Sequence, residues 1–297
     1  MLKKWSLRFG LAAIVLFGVS YALYYSGLLT VSSVQRVLST IVSESGVTIE
    51  HGLAYGSHPR HKLDIYRPDD DKGSGPIVIF LYGGGWKAGH RDSYGFVGAA
   101  LASRGMTTVV PDYRLYPEVS FPAFVADAAL AYSWVWRRLN AKRQDPRPIV
   151  LLGHSAGAHI AALLAFNADY LKGVNAKASR PAAFVGLAGP YAFDPTTWPT
   201  TKEIFATVAD ADRARPIAFV SSAAPPSLLI HGLEDTVVRL WNTRSMAKAL
   251  KDAGIKTRKV EYENIGHIGV IAAISRPFRW RASVLKDVVT FIRDVTQ

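Results

Sequence analysis

The chain has 297 residues, no cysteine and a formal net charge of +12, with 49% hydrophobic and 20% charged residues. The absent thiols exclude a disulfide framework, a cysteine nucleophile and cysteine metal ligands, and the mixed composition excludes a disordered or fibrous chain. The densest basic clusters (Arg137, Arg138, Lys142, Arg143 and Arg147, then Arg276, Arg279 and Arg281) lack interleaved aromatics and fit no nucleic-acid motif, so scattered surface charge is expected and a nucleic-acid partner is not.

Lys3, Lys4 and Arg8 precede an uncharged run over residues 9–31. As a helix this run is about 34 Å long, against a hydrocarbon core of about 30 Å. Residues 1–35 therefore read as an N-terminal tip and a membrane-spanning or signal segment, and residues 36–297 as one domain of ordinary size. Basic residues crowd before the run, and the next one after it is Arg36. That bias holds the N-terminus in the cytoplasm and puts the domain outside it. The rival is a cleavable signal with an apolar core at 11–19 and an imperfect small-residue site at Ser20-Tyr21-Ala22. The apolar run continues past Ala22, which favours the anchor; cleavage leaves a secreted or periplasmic protein instead.

From residue 47 onward, short apolar runs alternate with amphipathic stretches. Strands are predicted at 47–51, 62–66, 77–82, 107–111, 149–152, 184–187, 227–231 and 258–262. The middle runs are almost continuously apolar, as strands covered on both faces must be. Helices are predicted near 92–104, 122–140, 156–168, 240–254 and 282–295. Phe124, Ala128, Ala131, Val135 and Leu139 mark one helical face, and Leu285, Val289, Ile292 and Val295 another. Strand–helix alternation implies an α/β fold, a mostly parallel sheet with helices on both faces. The first two strands have no helix between them and are expected to pair antiparallel at an edge. Residues 190–216, with Pro190, Pro195, Pro199 and Pro216, break the alternation and read as a small cap insertion on the side where strand C-termini face ligands.

Chemistry concentrates at Gly153-His154-Ser155-Ala156-Gly157. A buried strand precedes it and a helix-forming run follows. In that setting Gly-x-Ser-x-Gly is a turn so tight that the serine projects from the sheet edge as a nucleophile. A serine needs a base, and the base an orienting carboxylate, in chain order Ser, Asp or Glu, His. Asp235 follows the 227–231 strand and His267 lies in the loop after the 258–262 strand, so these are the expected orienter and base. Glu234 is the competing carboxylate, and a helix N-cap is the competing role for Asp235. His154 and His231 sit where packing explains them. Tyr82-Gly83-Gly84-Gly85-Trp86 follows the 77–82 strand, and its bare backbone suits an oxyanion loop. Gly84, Gly85 and Ala156 are the expected N–H donors. No Lys-Ser or Lys-Thr follows these glycines, so a phosphate cradle is not expected.

From about residue 50 to the C-terminus the chain resembles the carboxylesterases of the α/β-hydrolase superfamily, nearest the hormone-sensitive-lipase-like, feruloyl-esterase-like and arylformamidase-like branches. The resemblance rests on Tyr82-Gly-Gly-Gly-Trp86, Asp112-Tyr-Arg-Leu-Tyr-Pro-Glu118, Gly153-His-Ser-Ala-Gly157, His231-Gly-Leu-Glu-Asp235 and Gly266-His267, occurring in order. It implies an α/β-hydrolase fold and hydrolysis of a small-molecule carboxylic ester through an acyl-enzyme, with no metal or cofactor. It implies a structural role for Asp112 and Arg114. Relatives often carry His where this chain has Tyr82, a departure that leaves the backbone donors in place. Trp86, Tyr191 and Phe193 are expected pocket walls. The alternatives are an arylformamidase-like amide hydrolase with the same triad and a membrane-tethered binding protein that has lost catalysis.

Overall fold

The computed structural model describes residues 44–71, 73–172 and 180–297. The segment expected to enter the membrane lies outside them. Among the described residues no helix is long and apolar enough to cross a membrane.

An 8-stranded sheet runs in the order β1-β2-β4-β3-β5-β6-β7-β8. Its strands are β1 (Val47–Ala54), β2 (Lys62–Pro68), β3 (Ile77–Leu81), β4 (Thr107–Pro111), β5 (Ile149–His154), β6 (Ala183–Leu187), β7 (Ser227–Gly232) and β8 (Thr257–Tyr262). β1 pairs antiparallel with β2, as the missing helix between them implies, and β2 pairs antiparallel with β4. All remaining pairs are parallel. Every residue of β3, β4, β5, β6 and β7 is buried, which is why those strands read as almost continuous apolar runs. The outer strand β8 instead carries Arg258, Lys259 and Glu261, charges that discourage pairing at a sheet edge.

Among the described residues the helices are α1 (Gly95–Ala102), α2 (Ala123–Leu139), α3 (Ala156–Phe166), α4 (Asp169–Lys172), α5 (Trp241–Asp252), α6 (His267–Ala272) and α7 (Val284–Thr296). The chain steps from β3 through α1 to β4 in one direction, then crosses back through α2 to β5 on the other side of β3. Right-handed crossovers in opposite directions place their helices on opposite faces. Accordingly α1 meets α7 on one face, while α2 and α3 pack together on the other. The predicted stripe of α2 is buried through Phe124, Ala128, Ala131 and Val135. α3 is apolar all round and nearly every residue in it is buried, the condition of a helix enclosed on all sides.

The reversal between β3 and β5 opens a crevice at their C-terminal ends, where open α/β sheets bind ligands. Leu81 and Gly153 are direct partners there. Residues 190–216 form turns with a short 3₁₀ helix at Ala211–Ala214, and a second begins at Pro216. The segment is held down by its own apolar residues: Tyr191, Ile204, Phe205 and Ala214 are buried. Phe205 packs on Trp86 at 5.1 Å and on Phe121 at 5.2 Å.

Candidate active site

Ser155 stands between β5 and α3 with φ 54° and ψ −124°. A left-handed backbone at a non-glycine residue is strained and persists only where packing fixes it. The fixing contacts are specific. A Cβ on Gly157 would lie 2.0 Å from the Leu81 carbonyl oxygen and 2.3 Å from that of Tyr82, so only glycine lets α3 start this close to β3. The Ser155 N–H donates to the Leu187 carbonyl at 2.9 Å, tying the turn to β6.

Three residues from distant parts of the chain meet in one hydrogen-bonded line. Ser155 Oγ is 2.8 Å from His267 Nε2, and His267 Nδ1 is 2.7 Å from Asp235 Oδ2. All three are largely buried. His267 is the first residue of α6, a short helix absent from the sequence-based prediction, which placed this histidine in a loop. Asp235 is not a helix N-cap, because the next helix, α5, begins at Trp241 with Leu240 before it; its second oxygen holds the turn that follows instead. Oδ2 faces His267, while Oδ1 accepts the N–H groups of Val237 and Val238 at 2.9 and 2.8 Å. Burial pushes the Asp235 carboxyl up, but hydrogen bonds from His231 and His267 outweigh it and hold it well below the usual range. It is therefore an ionised partner for the imidazole at neutral pH. The competitor Glu234 is exposed.

Sequence reasoning assigned His154 and His231 to packing, and the geometry gives each more. His231 Nε2 lies 3.2 Å from Asp235 Oδ2 and 2.9 Å from the Val238 carbonyl, and its Nδ1 is 2.7 Å from Thr243 Oγ1. It braces the same carboxylate oxygen that faces His267. The i, i+4 spacing in His231-Gly-Leu-Glu-Asp235 was the available signal. The His154 ring lies 4.8 Å from the His267 ring, and its Nε2 is 3.2 Å from the His267 carbonyl. Complete burial, reinforced by neighbouring His267, lowers its pKa to about 3, so it is neutral at physiological pH.

The loop after β3 supplies the facing wall. Gly84 has φ 131°, and a Cβ there would stand 2.1 Å from the Ala88 carbonyl oxygen. The Gly84 carbonyl accepts from Lys87 and Ala88, closing a tight turn. Gly84, Gly85 and Ala156 border the same cavity as Ser155. Ala156 is the first residue of α3, where a helix leaves its N–H without an intrahelical partner. Tyr82 anchors this loop. Its ring stacks between Tyr94 and Tyr113, and its hydroxyl donates to Asp112 Oδ1 at 2.7 Å while accepting from Arg60 at 2.9 Å. Asp112 also accepts from the Arg91 backbone N–H at 2.8 Å and from its guanidinium at 2.5 Å. Arg114 grips Asp127 through two nitrogens. Both residues of the Asp-Tyr-Arg stretch thus support the scaffold around the loop.

The cavity beside Ser155 holds about 300 Å³. Trp86 and Phe193 line it. Tyr191 does not. Its side chain is fully buried against Phe184 and the backbone of Gly186 and Gly189, behind the wall. The sequence also gave no reason to select Lys87, Trp198, Val237, Arg239 and Trp241, all of which reach the cavity. Among the described residues no group of His, Asp and Glu is arranged to hold a metal ion.

This crossed parallel sheet, with a strained serine at the end of β5, is an α/β-hydrolase fold. The fold recurs in esterase B from Lactobacillus rhamnosis at a TM-score of 0.74 and 18% identity, covering 95% of this chain and 96% of that one. It recurs too in a truncated carbohydrate esterase from gut microbiota at a TM-score of 0.70 and 22% identity, covering 84% and 96%. The chain belongs to the BD-FAE family, whose profile matches residues 63–250. Similar proteins include the probable isoprenylcysteine alpha-carbonyl methylesterase ICME of Oryza sativa subsp. japonica, 30% identical over 81% of this chain and 63% of that protein. ICME of Arabidopsis thaliana is 28% identical over 82% and 62%. Esterase LipC of Mycobacterium tuberculosis is 29% identical over 67% and 54%. The matched stretch is thus under two thirds of each relative's length.

Proposed function

We propose that this protein is a carboxylic ester hydrolase with Ser155 as nucleophile, His267 as general base and acid, and Asp235 as the carboxylate that orients His267. The observation that carries the reading is the unbroken line Ser155 Oγ, His267 Nε2, His267 Nδ1 and Asp235 Oδ2, with contacts of 2.8 and 2.7 Å. Oγ attacks the ester carbonyl carbon as Nε2 takes its proton, and Asp235 stabilises the imidazolium that forms. The backbone N–H groups of Gly84, Gly85 and Ala156 receive the oxyanion. The alcohol leaves with the proton from His267. Water, activated by the same imidazole, then releases the acid and restores Ser155. The esterase names of the relatives support an ester over an amide substrate. Residues 9–31 are proposed to anchor the chain in a membrane with the domain outside the cytoplasm, on the strength of their length and the basic residues before them.

The test is labelling of the purified protein with a fluorophosphonate, read by intact mass, beside an ester panel of graded acyl length and an N-formyl aromatic amine. One adduct on Ser155 and turnover of the esters above the formamide are expected. Equal labelling and turnover in Ser155→Ala would defeat the reading.

A further inference from the structure

The rim of the cavity beside Ser155 combines two chemistries. Its walls are apolar and unusually open: Trp198, Val237 and Trp241 are 55%, 70% and 47% exposed, large apolar surfaces that face solvent at the mouth. Its charged lining is of one sign. Lys87 and Arg239 both border the cavity, and among the described residues no aspartate or glutamate does.

The backbones of both residues are held in place, and among the described residues neither charged head is paired with a carboxylate. The Lys87 N–H closes onto the Gly84 carbonyl at 3.1 Å, so Lys87 is part of the glycine loop, and its ammonium sits over the Tyr116 ring at 5.4 Å. The Arg239 carbonyl accepts from the Asn242 backbone N–H at 3.0 Å and from Asn242 Nδ2 at 3.2 Å, which pins Arg239 at the start of α5. Neither side chain forms an ion pair among the described residues. Glu203 reaches the Tyr116 hydroxyl at 3.3 Å and does not pair with Lys87. The buried Asp235 spends its oxygens on His231, His267, Val237 and Val238.

Cations at the mouth of an apolar cleft focus their field into it, because low-dielectric walls screen poorly. The complementary ligand has an apolar body for the aromatic walls and a negative charge for the rim. We propose that the pocket selects esters that carry a free carboxylate beyond an apolar segment, the carboxylate being met by Lys87 and Arg239. This rests on Ser155 as the nucleophile and adds the substrate class.

The experiment compares kcat/KM for two matched pairs of esters with the purified protein. One pair carries the charge on the leaving group, 4-butyryloxybenzoate against neutral 4-butyryloxybenzamide. The other carries it on the acyl tail, 4-nitrophenyl hydrogen suberate against its methyl ester. Each value is divided by the ester's own alkaline hydrolysis rate to remove intrinsic reactivity. The expected result is a preference of roughly 5–30-fold for the anion in at least one pair at low salt. It should shrink toward one in 1 M NaCl, where the screening length is about 3 Å. Arg239→Glu and Lys87→Ala should each lower the anion-to-neutral ratio, with the charge reversal acting more strongly. The salt series on the unmodified protein stands even if a variant misfolds. Turnover of both members of each pair at equal, salt-independent efficiency overturns the charge selection and leaves the esterase reading intact. Turnover of none overturns both.

Discussion

In the proposed mechanism Ser155, His267 and Asp235 act as a unit, so loss of any one should remove most of the rate. Ser155→Ala is expected to lower kcat by roughly 10⁴-fold or more with the fold unchanged. Asp235→Asn should cost about 10⁴-fold, because an amide favours the wrong imidazole tautomer. Steady-state kinetics beside a thermal melt read both, and near-normal turnover by either variant would remove that residue from the mechanism. The buried histidines make a second prediction, about stability. Burial lowers the pKa of His154 to about 3 and of His159 to about 4, against 6.5 for a free imidazole. Below pH 6.5 the unfolded chain therefore binds protons that the native chain refuses. Stability falls as pH drops from 6.5 toward those values, and at pH 5 each ring costs about 2 kcal/mol. Asp235 adds to this lower down, since a depressed carboxylate loses its contribution below its unfolded value. Urea midpoints at pH 7.5 and 5 measure the combined loss, expected at roughly 4 kcal/mol for the two histidines. A flat response would mean that the native rings take up protons normally.

At the scale of elements, the glycine loop after β3 is the piece most exposed to single changes. Its turn places Gly84 where a Cβ would meet the Ala88 carbonyl at 2.1 Å, and its φ of 131° disfavours any side chain. Gly84→Val should displace the loop and its backbone donors. Loss of one such donor costs about 10²–10³ in kcat. The effect should fall on kcat more than on KM, because the oxyanion forms only after binding. A folded Gly84→Val protein with unchanged kcat would take this loop out of the reaction. The anchoring of Tyr82 on Asp112 shows why the loop tolerates tyrosine at its first position: the hydroxyl serves the scaffold and leaves the following backbone free.

For the whole molecule, location is the open consequence of the sequence. Residues 9–31 lie outside the described structure, and the prediction for them stands on length and charge alone. Full-length protein from its native host should fractionate with membranes, with an N-terminus that mass measurement finds uncleaved. A soluble extracytoplasmic form starting at Leu23 would replace the anchor with a cleaved signal. A soluble cytoplasmic form with residues 1–35 intact would remove both. The net charge of +12 acts at this scale as well. It favours approach to anionic surfaces and ligands, while Arg91, Arg114 and Arg147 are spent on Asp64, Asp71, Asp112 and Asp127.

The chain by itself determined the eight strands, the five longer helices and the residues that meet at the head of β5. These are written in short-range signals. A strand enclosed on both faces must be mostly apolar, as β3 to β7 are, and a glycine-bracketed serine between strand and helix defines its own turn. The antiparallel start followed from a missing helix. The tertiary structure alone decided what surrounds the serine. Tyr191 and Phe193 are two residues apart, yet one packs behind the wall and the other lines it. Trp198 and Trp241 come from distant segments and open onto one mouth. His231 turned out to brace Asp235, and α6 is too short for a hydrophobic period to reveal. Each of these depends on which side chain faces which across the packed sheet ends. That facing is set by contacts between residues far apart in the chain, and no local pattern of the sequence encodes it.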